Sequence, residues 1–188
     1  MKSLRILVTS VCIAAAVPAF AVEQGNFQAA VDLHPIIPLN DNAGQNVGFA
    51  FDVRGGYAMP VGGITLVPEL VVGWTSFGTG SPDTSMTMVR VLGGARAVFG
   101  EGKLTPAALL HFGYGSLTAS MEFPSGTPGA PGLEVEATDD TGVIELGGAL
   151  DYAVTDNFFV GGHAGLNFLT AGDGATYLAV GAQLAYRF

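Results

Sequence analysis

The 188 residues carry 7 basic against 16 acidic side chains, a formal charge of −9, and 49% are apolar while only 12% are charged. This balance excludes nucleic-acid binding, because no basic patch is present to neutralise phosphates. It also fits poorly with a water-soluble domain, which needs a charged, mixed surface.

The chain opens with "MKSLRILVTSVCIAAAVPAFA". Lys2 and Arg5 precede an apolar run, and Ala19-Phe20-Ala21 forms an A-x-A cleavage site, the layout of a secretory signal peptide. The run from Ile6 to Val17 falls short of the ~20 residues of a membrane-spanning helix. Residues 1–21 are expected to be a cleaved signal, leaving 22–188 as one domain of 188 − 21 = 167 residues. Lys2 and Arg5 leave with the signal, so the mature chain has a formal charge of −11. Cys12 leaves too, and with it any disulfide or thiol nucleophile.

Period-2 segments bounded by Gly, Pro, Asn and Asp then follow at 26–34, 46–58, 63–76, 86–99, 104–119, 141–153, 157–169 and 175–188. Their connections alternate. Those after the second, fourth and sixth segments are tight: "MPVGG", "GEGK" and "TDN". Those after the first, third, fifth and seventh are longer or more polar: "PIIPLNDNAGQ", "GTGSPDTS", "MEFPSGTPGAPGLEVEATDD" and "TAGDG". Short turns on one side, longer loops on the other and an even strand count are the organisation of a transmembrane β-barrel. Each of its spans needs only ~9–11 residues, and only alternate ones must be apolar. The predicted fold is therefore all-β, an eight-stranded antiparallel up-and-down transmembrane β-barrel.

One face of each segment is apolar, for example Phe27, Ala29, Val31 and Leu33, or Leu66, Leu70, Val72 and Trp74. The other face carries Asp32, Asp52, Arg54, Glu69, Arg90, Arg96, Glu145, Asp151 and Arg187. Such a face suits a narrow lumen in which acids and bases pair, because an unmatched buried charge costs several kcal/mol. A lipocalin-like barrel would reverse the two faces, and the second face is too rich in glycine to serve as a soluble exterior. Aromatic residues are expected at two levels: Phe27, Tyr57, Phe99, Tyr152, Phe158, Tyr186 and Phe188 by the short turns, and Trp74, Phe77, Phe112, Tyr114 and Phe168 by the loops.

The leader, the eight alternating segments, the glycine-rich second face and the terminal "AYRF" resemble the small eight-stranded outer-membrane barrels of Gram-negative bacteria. These are the OmpA-barrel, OmpX, OmpW and opacity-protein group, and the resemblance covers the whole mature chain. It implies residence in the bacterial outer membrane with periplasmic termini, among outer-membrane lipids and lipopolysaccharide. It also implies that Leu184, Tyr186 and Phe188 carry the pattern read by the barrel-assembly machinery.

The candidate chemistry is sparse, and no cofactor or metal is expected. His111 and His163 point inward at mid-strand, while His34 is placed near the outer rim beside Pro35. A hydrolase would need a serine and a carboxylate within reach of one of them, and no His-x-Ser lies near an outer strand end. Asp41, Asp83, Glu122, Glu134, Glu136, Asp139, Asp140 and Asp173 fall in the long loops. They lack the spacing of a calcium loop and read as solvated loop charge or as a divalent-cation bridge to lipopolysaccharide. Glycine pairs such as Gly55-Gly56 and Gly147-Gly148 leave lumen room, and Pro68 is expected to cause a bulge or irregular pairing. The expected protein is a monomeric, non-enzymatic barrel with a filled lumen and a structural or surface-interaction role. The alternatives are a narrow or lateral conduit for small hydrophobic molecules and, behind it, a lipid-modifying hydrolase.

Overall fold

The computed structural model describes residues 26–40, 46–123, 133–170 and 174–188. They form β1 (Phe27–Pro38), β2 (Asn46–Tyr57), β3 (Met59–Val61), β4 (Ile64–Gly78), β5 (Thr84–Phe99), β6 (Leu104–Phe123), β7 (Leu133–Ala153), β8 (Phe158–Leu169) and β9 (Ala175–Arg187). All pairings are antiparallel; besides those between chain neighbours, β2 pairs with β4 and β1 with β9, so the sheet closes. β3 is a short continuation of β2 against β4, which leaves eight strands in the wall.

The register fixes the size of the tube. From Gln28 the ladder runs through Gly56, Glu69, Gly94, His111, Glu145, Asn167 and Tyr177, and returns to β1 at Pro38, ten residues on. That stagger, with a strand spacing of ~4.7 Å and a rise of ~3.3 Å per residue, tilts the strands by about 41° at a radius of about 8 Å. Side chains can fill such an interior.

Alternation assigns the two faces. In β4, Val67, Glu69, Val71, Thr75 and Phe77 are buried, while Pro68, Leu70, Val72 and Trp74 are exposed. The same phase around the barrel leaves an apolar outer belt that includes Val31, Leu33, Phe51, Val53, Val89, Val91, Leu110, Leu146 and Leu166. In water such a belt would be an association surface; in lipid it is the solvated face. Among the described residues no helix is long and apolar enough to cross a membrane.

At the short-turn end Phe27, Phe99, Tyr152, Tyr186 and Phe188 are exposed, and at the loop end Trp74, Phe112, Tyr114 and Phe168. Phe77 departs from its predicted place in this outer girdle. It is 4% exposed and packs inside the barrel, its ring edge-on to Tyr177 at 5.5 Å. The reason is parity: Phe77 shares the phase of Glu69 and Thr75, so it points inward wherever it stands along the strand.

The hairpin between β3 and β4 turns on Gly62 (φ 57°) and Gly63 (φ 91°), with Val61 paired to Ile64. Positive φ at both central residues is the mirror-image turn whose twist suits a two-residue hairpin, and glycine adopts it without steric cost. At Pro68 the β2 ladder stops at Gly56↔Glu69 and resumes as Met59↔Leu66, so the same number of residues is unpaired on each side. The predicted irregular pairing is present, whereas no bulge forms there.

Three strands run well past their predicted bounds. β1 continues through Pro35 to Pro38, and Ile36 is buried in the lumen. The ladder with β9 passes from Leu33↔Ala182 to Ile36↔Ala179, omitting His34 and Pro35, as a proline without an N–H requires. β6 and β7 run on together to Phe123↔Leu133, so much of the predicted long loop is a two-stranded ribbon rising beyond the wall.

Candidate functional site

Toward the short turns and through mid-barrel, the lumen is a network of charged groups built around three guanidiniums. Arg54 grips Asp32 with two nitrogens, Nε to Oδ2 at 2.5 Å and Nη2 to Oδ1 at 3.0 Å. Its Nη2 also donates to Gln183 Oε1 at 2.7 Å, and Nη1 reaches both Glu69 oxygens at 3.3 Å. Arg96 donates to Asp151 at 2.9 Å and to Gln183 Oε1 at 3.0 Å, and its Nε lies 3.5 Å from Glu69. The Gln183 amide closes this group by donating to Asp151.

One level higher, Arg90 holds Asp52 through Nη2 at 2.6 Å and Nε at 3.2 Å. Its Nη1 donates to Asn167 at 2.6 Å and to the Tyr177 hydroxyl at 3.1 Å. Gly73 lies against this pair: a Cβ there would sit 3.0 Å from both Arg90 Nε and Asp52 Cγ. Glycine is what lets the guanidinium approach the wall.

Imidazoles join the two levels. His111 meets Glu145 through Nδ1 at 3.0 Å and Glu69 through Nε2 at 3.2 Å. Only a doubly protonated ring donates to both at once. His163 Nε2 lies 3.2 Å from Glu145, and His34 Nε2 is 2.7 Å from Asp52. His34 is therefore inside the barrel and fully buried, not at the rim, its ring 5.4 Å from that of His163. The extension of β1 past Pro35 moves it to mid-strand. None of the hydrogen bonds found for these histidines goes to a serine, and among the described residues no three His, Cys, Asp or Glu side chains are arranged to hold a metal.

Toward the loops the lumen changes character. Ile36, Ala50, Val71, Phe77, Met88, Leu92, Val143, Leu169 and Ala175 form one buried apolar cluster, with Met86 and Leu117 packed against it. Tyr177 belongs to both zones, its ring against Phe77 and its hydroxyl on Arg90.

Eight of the nine charged residues singled out in the sequence come together in this network: Asp32, Asp52, Arg54, Glu69, Arg90, Arg96, Glu145 and Asp151. Arg187 stays apart at the short-turn rim, where its guanidinium lies 5.0 Å over the Phe159 ring. Asn167 and Tyr177 join the network from the inward phase of their strands, where alternation places them, whereas His34 joins it from inside the barrel and not from the rim. Leu184, Tyr186 and Phe188 all face outward, with Phe188 bonded through its N–H to the Phe27 carbonyl at 2.8 Å and packed on Tyr186 at 4.9 Å. Ala19, Ala21, Asp41 and Asp173 lie outside the described residues.

Comparison with known proteins adds architecture. No protein-family model matches the chain, and no curated protein does. Among solved structures, Neisserial surface protein A matches with a TM-score of 0.58 at 16% identity, over 86% of this chain and 97% of that one. Ail, the attachment invasion locus protein of Yersinia pestis, matches at 0.54 and 16%, over 88% and 100%. A major outer membrane protein of Thermus thermophilus matches at 0.55 and 12%, over 86% and 99%. The fold is that of the small outer-membrane β-barrels. At such identities the likeness reaches no further than the fold.

Proposed function

We propose that this chain is an integral protein of the bacterial outer membrane whose barrel is closed, with a structural and surface-interaction role and no enzymatic one. The observation that carries this reading is the filled lumen. Charged or imidazole side chains from every wall strand except β9, with Gln183 and Tyr177 from β9, occupy the lower and middle levels, and an apolar cluster occupies the upper one. An apolar layer stacked on a paired polar one opposes a continuous path for water. In this reading the termini and short turns are periplasmic and the ribbon and long loops are outside. The barrel is a monomer in contact with outer-membrane lipids and lipopolysaccharide, and the outward Leu184, Tyr186 and Phe188 present the closing strand to the barrel-assembly machinery.

A narrow conduit for small hydrophobic molecules is the second reading, and the apolar upper lumen favours it. The network below argues against passage down the axis. Single-channel recording of the refolded protein in planar bilayers separates the two: the closed barrel gives no sustained current, and a steady conductance overturns it. Deleting Phe188 tests the assembly role. The expected result is less protein in the outer membrane and more in the periplasm, and unchanged membrane levels would remove that assignment.

A further inference from the structure

The ribbon has an open edge. The ladder between β7 and β8 begins at Val143↔Leu169, whereas that between β6 and β7 reaches Phe123↔Leu133. β5 covers the other flank of β6 out to Thr84↔Met121. Residues 133–140 of β7 therefore have a strand partner on one side only among the described residues.

The last contact with the wall tells which backbone groups face that edge. The Thr170 amide donates to the Gly142 carbonyl at 2.9 Å, and the Gly142 amide donates to Thr170 Oγ1 at 3.1 Å. Backbone groups alternate sides along an antiparallel strand, so those of Glu134, Glu136, Thr138 and Asp140 point the same way. The Asp140 amide is taken by Asp139 Oδ1 at 2.9 Å. Among the described residues, the amides and carbonyls of Glu134, Glu136 and Thr138 remain as a row of donors and acceptors, the template for an added strand.

Charge and face pattern specify what fits. The basic residues of the mature chain are Arg54, Arg90, Arg96, Lys103 and Arg187, and none is in the ribbon or a long loop. Glu122, Glu136, Asp139 and Asp140 are exposed on the ribbon. Glu136 and Asp140 continue the outward face, while Val135 and Ala137 continue the inward one beside Leu117, Ala119 and Met121. A second copy pairing by the same edge would set acid against acid, which is destabilising. Acidic edges discourage such self-pairing, yet the same charges attract a strand of opposite sign.

From this edge, and resting on the surface-interaction reading above, we infer that residues 133–140 of β7 take up an extended cationic polypeptide segment as an additional antiparallel or parallel strand. Its basic residues would alternate with small apolar ones, the former beside Glu136 and Asp140, the latter over Val135 and Ala137.

The test uses the full-length protein refolded in zwitterionic micelles, with an alternating Lys-Val peptide and a block peptide of the same composition. Hydrogen exchange should slow at residues 133–140 with the alternating peptide, and the block peptide should bind at least about tenfold more weakly. Thr138→Pro removes an edge amide without touching the β6 ladder and should weaken the alternating peptide by about tenfold or more. Glu136→Gln with Asp140→Asn keeps the edge and should weaken binding while flattening its salt dependence. Equal binding of both peptides, with Thr138→Pro indifferent and the charge variant inactive, would overturn strand addition while leaving an acidic interaction surface in place. No binding of either peptide overturns the inference, as does concentration-dependent dimerisation through the same residues. Unchanged circular dichroism and heat-dependent gel mobility of both variants show that the barrel itself is intact.

Discussion

The lower and upper halves of the lumen solve one problem by opposite chemistry. Each must fill a tube of about 8 Å radius. Below, long polar side chains cross the axis and meet partners on distant strands, as Arg96 of β5 meets Asp151 of β7 and Gln183 of β9. Above, Phe77, Met88, Leu92 and Ile36 fill space with no partner to satisfy. The difference is in how each half tolerates change. A buried ion network is no stronger than a well-packed apolar core, but it fails hard when one member is removed. An apolar core loses stability in proportion to the volume removed.

The largest test falls on Arg90. Arg90→Ala leaves Asp52, Asn167 and Tyr177 without their shared donor in a site that is 1% exposed. The loss should be about 3–5 kcal/mol, the range for stripping one partner from a buried pair. Urea unfolding in lipid vesicles measures it, and a loss under about 1 kcal/mol would mean that Asp52 is solvated. The same variant should admit current in planar bilayers if the network is the plug, while an unchanged closed state would assign the seal to the apolar half.

Phe77→Ala probes that half and should cost about 3 kcal/mol, the lower end for a buried phenylalanine because Met86 and Tyr177 can move toward the space. It should leave the channel silent, since the ion network below remains whole. A current from Phe77→Ala but not from Arg90→Ala would reverse the assignment of the seal.

The two halves were also unequally legible in the sequence. Charged residues spaced by twos announce an inward face, because the same strands show apolar residues in the other phase. Asp52 and Arg54 in "FAFDVRGGY" do so, as do Arg90 and Arg96 in β5. Their partners could not be read, since the cross-barrel contacts depend on the stagger of the ladder. The apolar half carried no such contrast. Ile36 lies beyond Pro35, which looked like a strand end, and an aromatic near a strand end looked like a girdle residue, as Phe77 did. The ribbon was hidden for a related reason: Val135, Glu136, Ala137 and Thr138 are all exposed, so no buried face imposed a period on "EVEATDD". Burial writes the alternation, and without burial a strand resembles an acidic loop.

The smallest effect should come where the halves meet. Tyr177→Phe keeps the ring against Phe77 and removes only the hydroxyl that accepts from Arg90 Nη1 at 3.1 Å. The same Nη1 retains Asn167 at 2.6 Å, and the guanidinium keeps both Asp52 contacts. Hydrogen bonds to charged groups contribute about 1.5–3 kcal/mol when nothing replaces them, and here three contacts persist, so the expected loss is about 1 kcal/mol. A loss matching that of Arg90→Ala would show that Tyr177 fixes the guanidinium and that the two halves act as one unit. Pairing Tyr177→Phe with Phe77→Ala in a double-mutant cycle decides it. Additive losses mean separate fillings of one tube, and a coupling above about 0.5 kcal/mol means that the ring of Tyr177 transmits the packing above it to the charges below.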